Sequence, residues 1–474
     1  MTLPGPPANV RRTRVVIIGA GPAGVTAAAT LARHGVTPIV IDEAAKPGGQ
    51  IYRQPPDGAA RPPREIYGFD AAKATRIHGL FKDLQSAAKI DYRSQTLVWN
   101  ITRNEQRFRL DLLHNGVQAT LDADKMILAT GAVDRALPFP GWVLPGVFTL
   151  GAAQIALKSQ GVAIGRRVAL IGAGPLLPLL VNQYLAVGIK PVAALDVAPF
   201  IAKLRAFGGL AAQPATLLKG AYYTARAAAL GCAITSNVRS IRALGDSRVT
   251  GLAYATADGK THEIACDGIA ASFGLRSESQ LADLAGCRFE FDNASRQWQP
   301  LRDRVGRSSV SGVYIAGDGA AIGGADVAEL AGEQAALALL DDGGTPTSVE
   351  RRHTLDRALR RQSRFRRALE SAYPFPAHLV ANIPDGLIIC RCEGITAGQL
   401  RDSIARRHPT DVNRLKAFSR LGMGRCQGRM CGHVGAELLA AHAGCGIVEA
   451  GRLRAQPPIK PIPLTSALAT EVSS

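Results

Sequence analysis

Four of the eight cysteines are spaced as ligands: Cys390-Arg-Cys392 and, after 33 intervening residues, Cys426-Gln-Gly-Arg-Met-Cys431. Two close pairs of thiolates are the donor set of a metal or iron–sulfur site. Zinc pairs are typically two to four residues apart, so a one-residue gap is tight for two donors on one tetrahedral ion. A [2Fe–2S] cluster spreads four thiolates over two irons and is the better fit. Zinc and an unliganded pack of thiols are the competing readings. Glycines around Cys426 and Cys431 leave backbone amides to donate to sulfur. Cys445 and the scattered Cys232, Cys266 and Cys287 read as buried and inert, and His433 is a spare donor that four cysteines make unnecessary.

A second constellation lies at the other end. VVIIGAGPAGVTAAATLARHG begins at Val15, and Gly19, Gly21 and Gly24 fit G-x-G-x-x-G between a β-branched run and an alanine-rich helix ending near Gly35. The first glycine allows the tight turn, the second lets backbone approach a pyrophosphate, and the third lets helix pack on strand. The helix N-terminus supplies positive potential for phosphates. A further strand, 37–41, delivers Asp42, with Glu43 as the neighbouring alternative, to accept from ribose hydroxyls. Three segments choose FAD as the dinucleotide. KPGGQIYR (46–53, with Gly49 and Gln50) resembles the segment after the acidic strand in thioredoxin-reductase-like flavoproteins. MILATGA (126–132, with Thr130 and Gly131) and VYIAGDGA (313–320) resemble the A-T-G and A-G-D motifs of two-dinucleotide flavoproteins; the latter implies that Asp318 meets the ribityl chain.

RRVALIGAGPLLPLLVNQYLAVG repeats the first pattern about 150 residues on, with Gly172 and Gly174 in place, Leu177 where the third glycine belongs, and Asp196 closing the next strand. NAD(H), another adenine nucleotide and a purely structural fold remain open for this repeat. No arginine cluster follows Asp196, which makes NADP the weakest choice. Disulfide reductases place a C-x-x-C or C-x₄-C dithiol near the flavin. None lies in the first 389 residues, which argues against that activity.

The elements that must position these residues follow from the same text. The chain reads as α/β: two Rossmann-like dinucleotide folds, the second inserted in the first, and a small helical C-terminal [2Fe–2S] domain. The expected divisions are 14–145 and 269–342 for the FAD fold, 146–268 for the insert, 343–379 for a basic helical linker, 380–446 for the cysteine domain and 447–474 for an extended strap or disordered tail. Gly131 and Gly274 mark the crossings between the first two. Thr396 is an N-cap candidate for AGQLRDSIARRH. The 474 residues hold 47% hydrophobic and 20% charged side chains, ordinary for a globular protein of two or three domains. The net charge of +18 is not accompanied by a basic stripe interleaved with aromatics, which argues against nucleic acid. Its densest run, Arg351 to Glu370, suits a solvated helix face, with docking to an acidic partner or anionic membrane surface as the second reading. The longest apolar stretch, 168–189, carries its own strand–turn–helix punctuation, and Arg11–Arg12 precede a nucleotide-fold strand rather than an export signal. A cytoplasmic protein is expected, at most peripheral to the membrane.

Taken in order, these parts resemble, over residues 14–446, the A (α) subunit of heteromeric amine dehydrogenases: octopine and nopaline oxidases, hydrogen cyanide synthase, and proline and hydroxyproline dehydrogenases. The cysteine domain is similar to that of bacterioferritin-associated ferredoxin in its C-x-C…C-x₄-C variant. The resemblance implies a D-amino-acid-oxidase-like B subunit that oxidises a C–N bond while the α-type subunit passes electrons on. It also implies, in some members, FMN at the subunit interface and a small ferredoxin-like third subunit. By residue it assigns Gly19, Gly21, Gly24, Asp42 and Asp318 to FAD and Cys390, Cys392, Cys426 and Cys431 to the cluster. No substrate-oxidising residue is identified. A stand-alone NAD(P)H-dependent FAD reductase and a non-enzymatic cluster-sensing or assembly module are the alternatives.

Overall fold

The computed structural model describes residues 13–58, 61–104 and 107–465; the Arg11–Arg12 pair lies outside them. The β-branched run forms strand Thr13–Ile18, in which Val15 to Ile18 are buried as a strand covered on both faces must be. It pairs in parallel with Ile39–Ile41 on one side and with the far half of Val117–Leu128 on the other. That long strand does two jobs. Its first half pairs antiparallel with Arg107–His114, and its last residues pair in parallel with Val313–Ile315. The late strand therefore returns to the first sheet and brings the 313–320 segment beside the 126–132 segment. Helix Ala325–Asp341 packs closely on helix Pro22–Arg33, where a Cβ on Gly332 would stand 2.1 Å from the Ala23 carbonyl.

The insert is a five-stranded parallel sheet in the order 234–236, 193–196, 168–172, 268–272, 147–148, flanked by an antiparallel sheet of 238–244, 251–256 and 261–265. Strand Gly268–Ser272 belongs to this sheet, so a boundary at 268/269 falls inside a strand. The return lies just beyond, where Leu275–Ser277 pairs antiparallel with Ala132–Asp134. The expected crossings at Gly131 and Gly274 flank that pair.

Helix Val349–Ala372 packs on helix Phe200–Leu210 through Phe365 and Ala372. The cysteine domain is no tethered bead. Its core residues Val380, Ile389, Leu400 and Val434 belong to one apolar cluster with Leu137, Phe139 and Trp142 of the segment leading into the insert and Ile269 of the insert's sheet, and the Trp142 indole donates to the Ile388 carbonyl at 2.7 Å. Thr396 and Gln399 form a reciprocal capping box at the start of helix Ala397–Arg407. Beyond Gly451 the chain runs back over the flavin fold as a strap. Arg452 pairs with Asp283, the Ile459 amide donates to the Trp99 carbonyl, and Lys460 pairs with Glu43. Among the described residues no helix is long and apolar enough to cross a membrane.

Candidate functional site

The first glycine turn is built for backbone alone. A Cβ on Gly24 would lie 1.8 Å from the Gly19 carbonyl oxygen, so only glycine lets helix Pro22–Arg33 begin so close to its strand. The 46–53 segment closes over this turn. The Gly48 amide donates to the Ala20 carbonyl at 2.8 Å, and Gly49, at φ +62°, sits so near Gly21 that its Cβ would be 2.9 Å from the Gly21 Cα. A bare backbone cradle at a helix N-terminus fits a pyrophosphate, and a side chain at either position would fill it.

Asp42 is half-buried beside this turn. Its carboxylate accepts from the Ala20 amide at 2.5 Å and the Ala44 amide at 2.7 Å. Burial raises its pKa, and those two amides oppose the rise. Glu43 faces outward to Lys460 instead. Gln50 is exposed and accepts from Arg53 at 3.0 Å. Thr130 and Gly131 end the 126–132 segment, and the Thr130 hydroxyl donates to the Glu278 carbonyl at 2.5 Å. Asp318 accepts through Oδ1 from the Gly323 and Gly324 amides at 2.7 and 2.9 Å, which pins the turn that starts helix Ala325–Asp341.

The second glycine turn differs. Leu177 is buried where the first fold has Gly24, and its helix, Leu176–Ala186, still follows Gly172 and Gly174. Asp196 is buried and already engaged: Lys203 Nζ stands 2.5 Å away and the Ala198 amide donates at 2.8 Å. Burial raises the Asp196 pKa and Lys203 opposes it. Lys203 in turn lies over the Tyr373 ring, 5.4 Å from its centroid. The carboxylate that would receive ribose hydroxyls here has its partners within the chain.

The four spaced cysteines come together. Cys390 ends strand Ile388–Cys390 and Cys431 caps helix Gly432–Ala443; both are buried, whereas Cys392 is exposed. Cys431 meets both Cys390 and Cys426, and Cys426 meets Cys392, so the four thiols form one connected group. Among the described residues no group of three or more His, Cys, Asp or Glu is arranged to hold one metal ion. Four thiols alone are the donor set of an iron–sulfur cluster. Contact with Cys431 first, then the Gly422, Glu393 and Cys392 amides, draw the Cys390 thiol down to about 6. Contact with Cys431 first, with the Met430 and Gly428 amides, draws Cys426 down to about 5. The amides aimed at Cys390 and Cys426 favour their thiolates, the form that ligates iron, whereas contact with Cys390 and Cys426 pushes Cys431 up and burial raises Cys392. Cys445 lies beyond the far end of the helix that Cys431 opens, roughly 18 Å along.

Several residues outside any motif make further contacts. Arg429, in the loop between Cys426 and Cys431, pairs with Glu278 at 2.8 Å. Arg276 donates to the Arg429 carbonyl at 3.0 Å and to His433 Nδ1 at 3.1 Å. Lys158, in a π-helical turn at Ala156–Gln160, is buried, donates to the Ile51 carbonyl at 3.1 Å, and is pushed down to about 8 by desolvation. Only the position of Arg429 between two ligands was a signal in the sequence.

The pyridine nucleotide-disulphide oxidoreductase family matches residues 13–177, and the BFD-like [2Fe-2S] binding domain family matches residues 388–441. The chain is 36% identical over 462 residues to the A-type subunit of opine oxidase from Rhizobium meliloti, covering 95% of this chain and 86% of that one. It is 30% identical over 476 residues to hydrogen cyanide synthase subunit HcnB of Pseudomonas aeruginosa, covering 96% and 98%. Among solved structures, L-proline dehydrogenase from P. horikoshii superposes with a TM-score of 0.71 at 21% identity, over 96% of this chain and 79% of that one, a likeness of fold. The matched families and relatives make the chain a flavin-dependent oxidoreductase subunit whose cofactors are FAD and a [2Fe–2S] cluster.

Proposed function

The chain belongs to the family of the A-type subunit of opine oxidase and of hydrogen cyanide synthase subunit HcnB, and we propose that within it this chain relays electrons. In this reading a D-amino-acid-oxidase-like partner subunit oxidises an amino-acid or opine C–N bond, and the electrons pass through this chain to a respiratory acceptor. The observation that carries the proposal is the seam between the two centres. The cysteine loop is tied through Arg429 to Glu278, and Glu278 is tied through its carbonyl to Thr130 at the edge of the flavin fold. Bound flavin exchanges electrons in pairs or singly and the cluster exchanges them singly.

Each residue then has a part. Gly19, Gly21, Gly24 and Gly49 hold the pyrophosphate on backbone, Asp42 holds the turn against the ribose, and Asp318 holds the ribityl chain. Cys390, Cys392, Cys426 and Cys431 hold the cluster, with the Gly422, Glu393, Met430 and Gly428 amides directed at their sulfurs.

The partner has a surface to meet. Helix Phe200–Leu210 buries Ala206 and Leu210 against helix Val349–Ala372. It leaves Phe200, Leu204 and Phe207 respectively 63%, 61% and 58% exposed on one face. The helix packed on it carries exposed arginines, Arg357, Arg361 and Arg364 among them. Exposed apolar side chains on one helix and a cationic neighbouring helix suit an acidic protein surface.

Purification with the products of neighbouring genes, followed by a screen of amino acids and opines with an artificial acceptor, tests the proposal. The complex is expected to reduce the acceptor and the isolated chain is not; oxidation by the isolated chain overturns the relay. Anaerobic mixing with NADH separates the reductase reading. Rapid bleaching of the flavin supports that alternative, against which stands the engagement of Asp196 by Lys203.

A further inference from the structure

A cavity lies in the seam between the flavin fold and the cysteine domain, lined from one side by 276–298 and from the other by 427–455. Residues of its wall carry several buried polar atoms that have no hydrogen-bond partner among the described residues. Ser277 Oγ, Gln297 Nε2, Trp298 Nε1 and Arg429 Nη2 are buried donors without a hydrogen-bond partner among the described residues, and Gln280 Oε1 is an acceptor without one. Ser277 and Gln297 are only 7% and 6% exposed. The orientation of Gln297 is settled by its neighbour: the Ser277 amide donates to Oε1, so the other end is the NH₂ group. Buried polar atoms are normally satisfied, and an unmet donor costs about 1–3 kcal/mol.

The charges of the wall are nearly matched. Arg296 is held by Glu437, Arg429 by Glu278 and Arg452 by Asp283. Arg276 is the exception: no carboxylate among the described residues pairs with it, and it spends Nη1 on the Arg429 carbonyl and on His433 Nδ1. A second guanidinium that forms no ion pair among the described residues, Arg135, lies nearby, donates to the Ser295 carbonyl, feels the more distant Glu437 and Glu370, and is 5% exposed. Burial lowers the pKa of Arg276, and burial followed by Arg276 pushes Arg135 down to about 9. Arg276 donates to His433 Nδ1, so His433 accepts there. Phe289, Phe291 and Trp298 supply an aromatic side.

We propose that this cavity binds a small oxyanion, a carboxylate or a phosphate group, received by Arg276, the Nη2 of Arg429, the Gln297 amide and the Trp298 indole N–H. The unmet groups there are chiefly donors and the surplus charge is cationic, so the complementary ligand is an acceptor-rich anion. Gln280 Oε1 accepts a hydroxyl carried by the same ligand. The site is distinct from the glycine cradle and from the thiols, and its occupancy does not depend on the electron-relay reading.

Calorimetric titration of the purified full chain, with FAD and cluster in place, tests this using sodium phosphate and sodium acetate against chloride at matched ionic strength. Saturable binding of one anion per chain is expected. Phosphate alone, acetate alone or both identifies the group the site takes. Arg276→Gln is expected to weaken binding about tenfold or more, the loss of one charge-assisted contact. Trp298→Phe keeps an aromatic ring, removes the indole N–H and gives up part of the ring's volume. It is expected to weaken binding several-fold while flavin and cluster absorbance stay unchanged, so it decides the matter should Arg276→Gln fail to fold. Absence of saturable heat with both anions, or wild-type affinity in Trp298→Phe, overturns the proposal and leaves an adventitious ion only.

Discussion

Arg429 Nε lies 2.8 Å from Glu278 Oε2, and both side chains are about 15% exposed, so one buried ion pair joins the cysteine loop to the strand end that closes the flavin fold. In a partly dry seam, removing one partner strands the other charge, whereas replacing both leaves neither exposed to that cost. Arg429→Met alone is expected to destabilise the chain by about 3 kcal/mol. Arg429→Met with Glu278→Gln should recover most of that loss. Thermal denaturation of the four members of this cycle measures the coupling, and additive losses would show that the pair does not hold the seam. If the seam also sets the distance between the centres, stopped-flow reduction will show slower transfer from flavin to cluster in Arg429→Met at unchanged cofactor content.

The two glycines of the cradle separate folding from binding. Gly24→Ala forces a Cβ to within 1.8 Å of the Gly19 carbonyl oxygen, and overpacking of that kind costs about 1–3 kcal/mol or more. A Cβ on Gly21 meets only the Gly49 Cα, at 3.6 Å, an ordinary contact. Gly21→Ala is therefore expected to fold with normal cluster absorbance but to hold FAD weakly. Gly24→Ala should lose both stability and flavin. The ratio of flavin to protein after gel filtration, read beside the melting temperature, distinguishes the two; full flavin in Gly21→Ala would place the pyrophosphate elsewhere.

What the sequence made legible was local. Gly19-x-Gly21-x-x-Gly24 and the cysteine pairs each lie within one strand–turn–helix or one loop, where spacing alone carries the chemistry, and the fold class followed from their order. The seam was not legible. Glu278 and Arg429 are 151 residues apart, and Arg276 and His433 are 157 apart, with no periodicity to link them. The same holds for Asp196, whose placement after a strand advertised a ribose acceptor while its engagement by Lys203 depends on a following helix. The expected edge of the insert at 268/269 cuts a strand, because Gly268–Ser272 is apolar enough to serve either sheet and only its parallel pairing with Val168–Gly172 assigns it.

Mutual contact sets these four cysteines apart from the rest. Serine in place of Cys390, Cys392, Cys426 or Cys431 is expected to abolish the cluster's visible absorbance and to lower bound iron, because an alkoxide is a poor substitute for a soft thiolate. Cys445→Ser, at the other end of helix Gly432–Ala443, is expected to keep both. Iron analysis of the five variants checks this. Loss of iron in Cys445→Ser, or zinc in place of iron in the wild type, would require a different ligand set or metal.

Lys158 gives the chain a pH dependence of known sign. Its ammonium is 5% exposed, lies 5.8 Å from the centre of the Tyr67 ring, and is pushed from 10.5 to about 8 chiefly by desolvation. Between about 8 and 10.5 the unfolded chain still holds this proton and the folded chain has released it. Stability therefore rises with pH across that window, and the full penalty of the buried charge is present at neutral pH and below. The shift corresponds to on the order of 3 kcal/mol. Lys158→Met keeps the stem's packing and removes the charge, at the expense of the bond to the Ile51 carbonyl, worth about 1 kcal/mol. The variant is expected to melt higher than the wild type near pH 7, with the advantage shrinking toward pH 10 and then reversing, since only the lost hydrogen bond remains there. Melting curves of the two proteins at matched ionic strength read this difference directly, and a difference that does not change with pH would mean that Lys158 is not a buried cation.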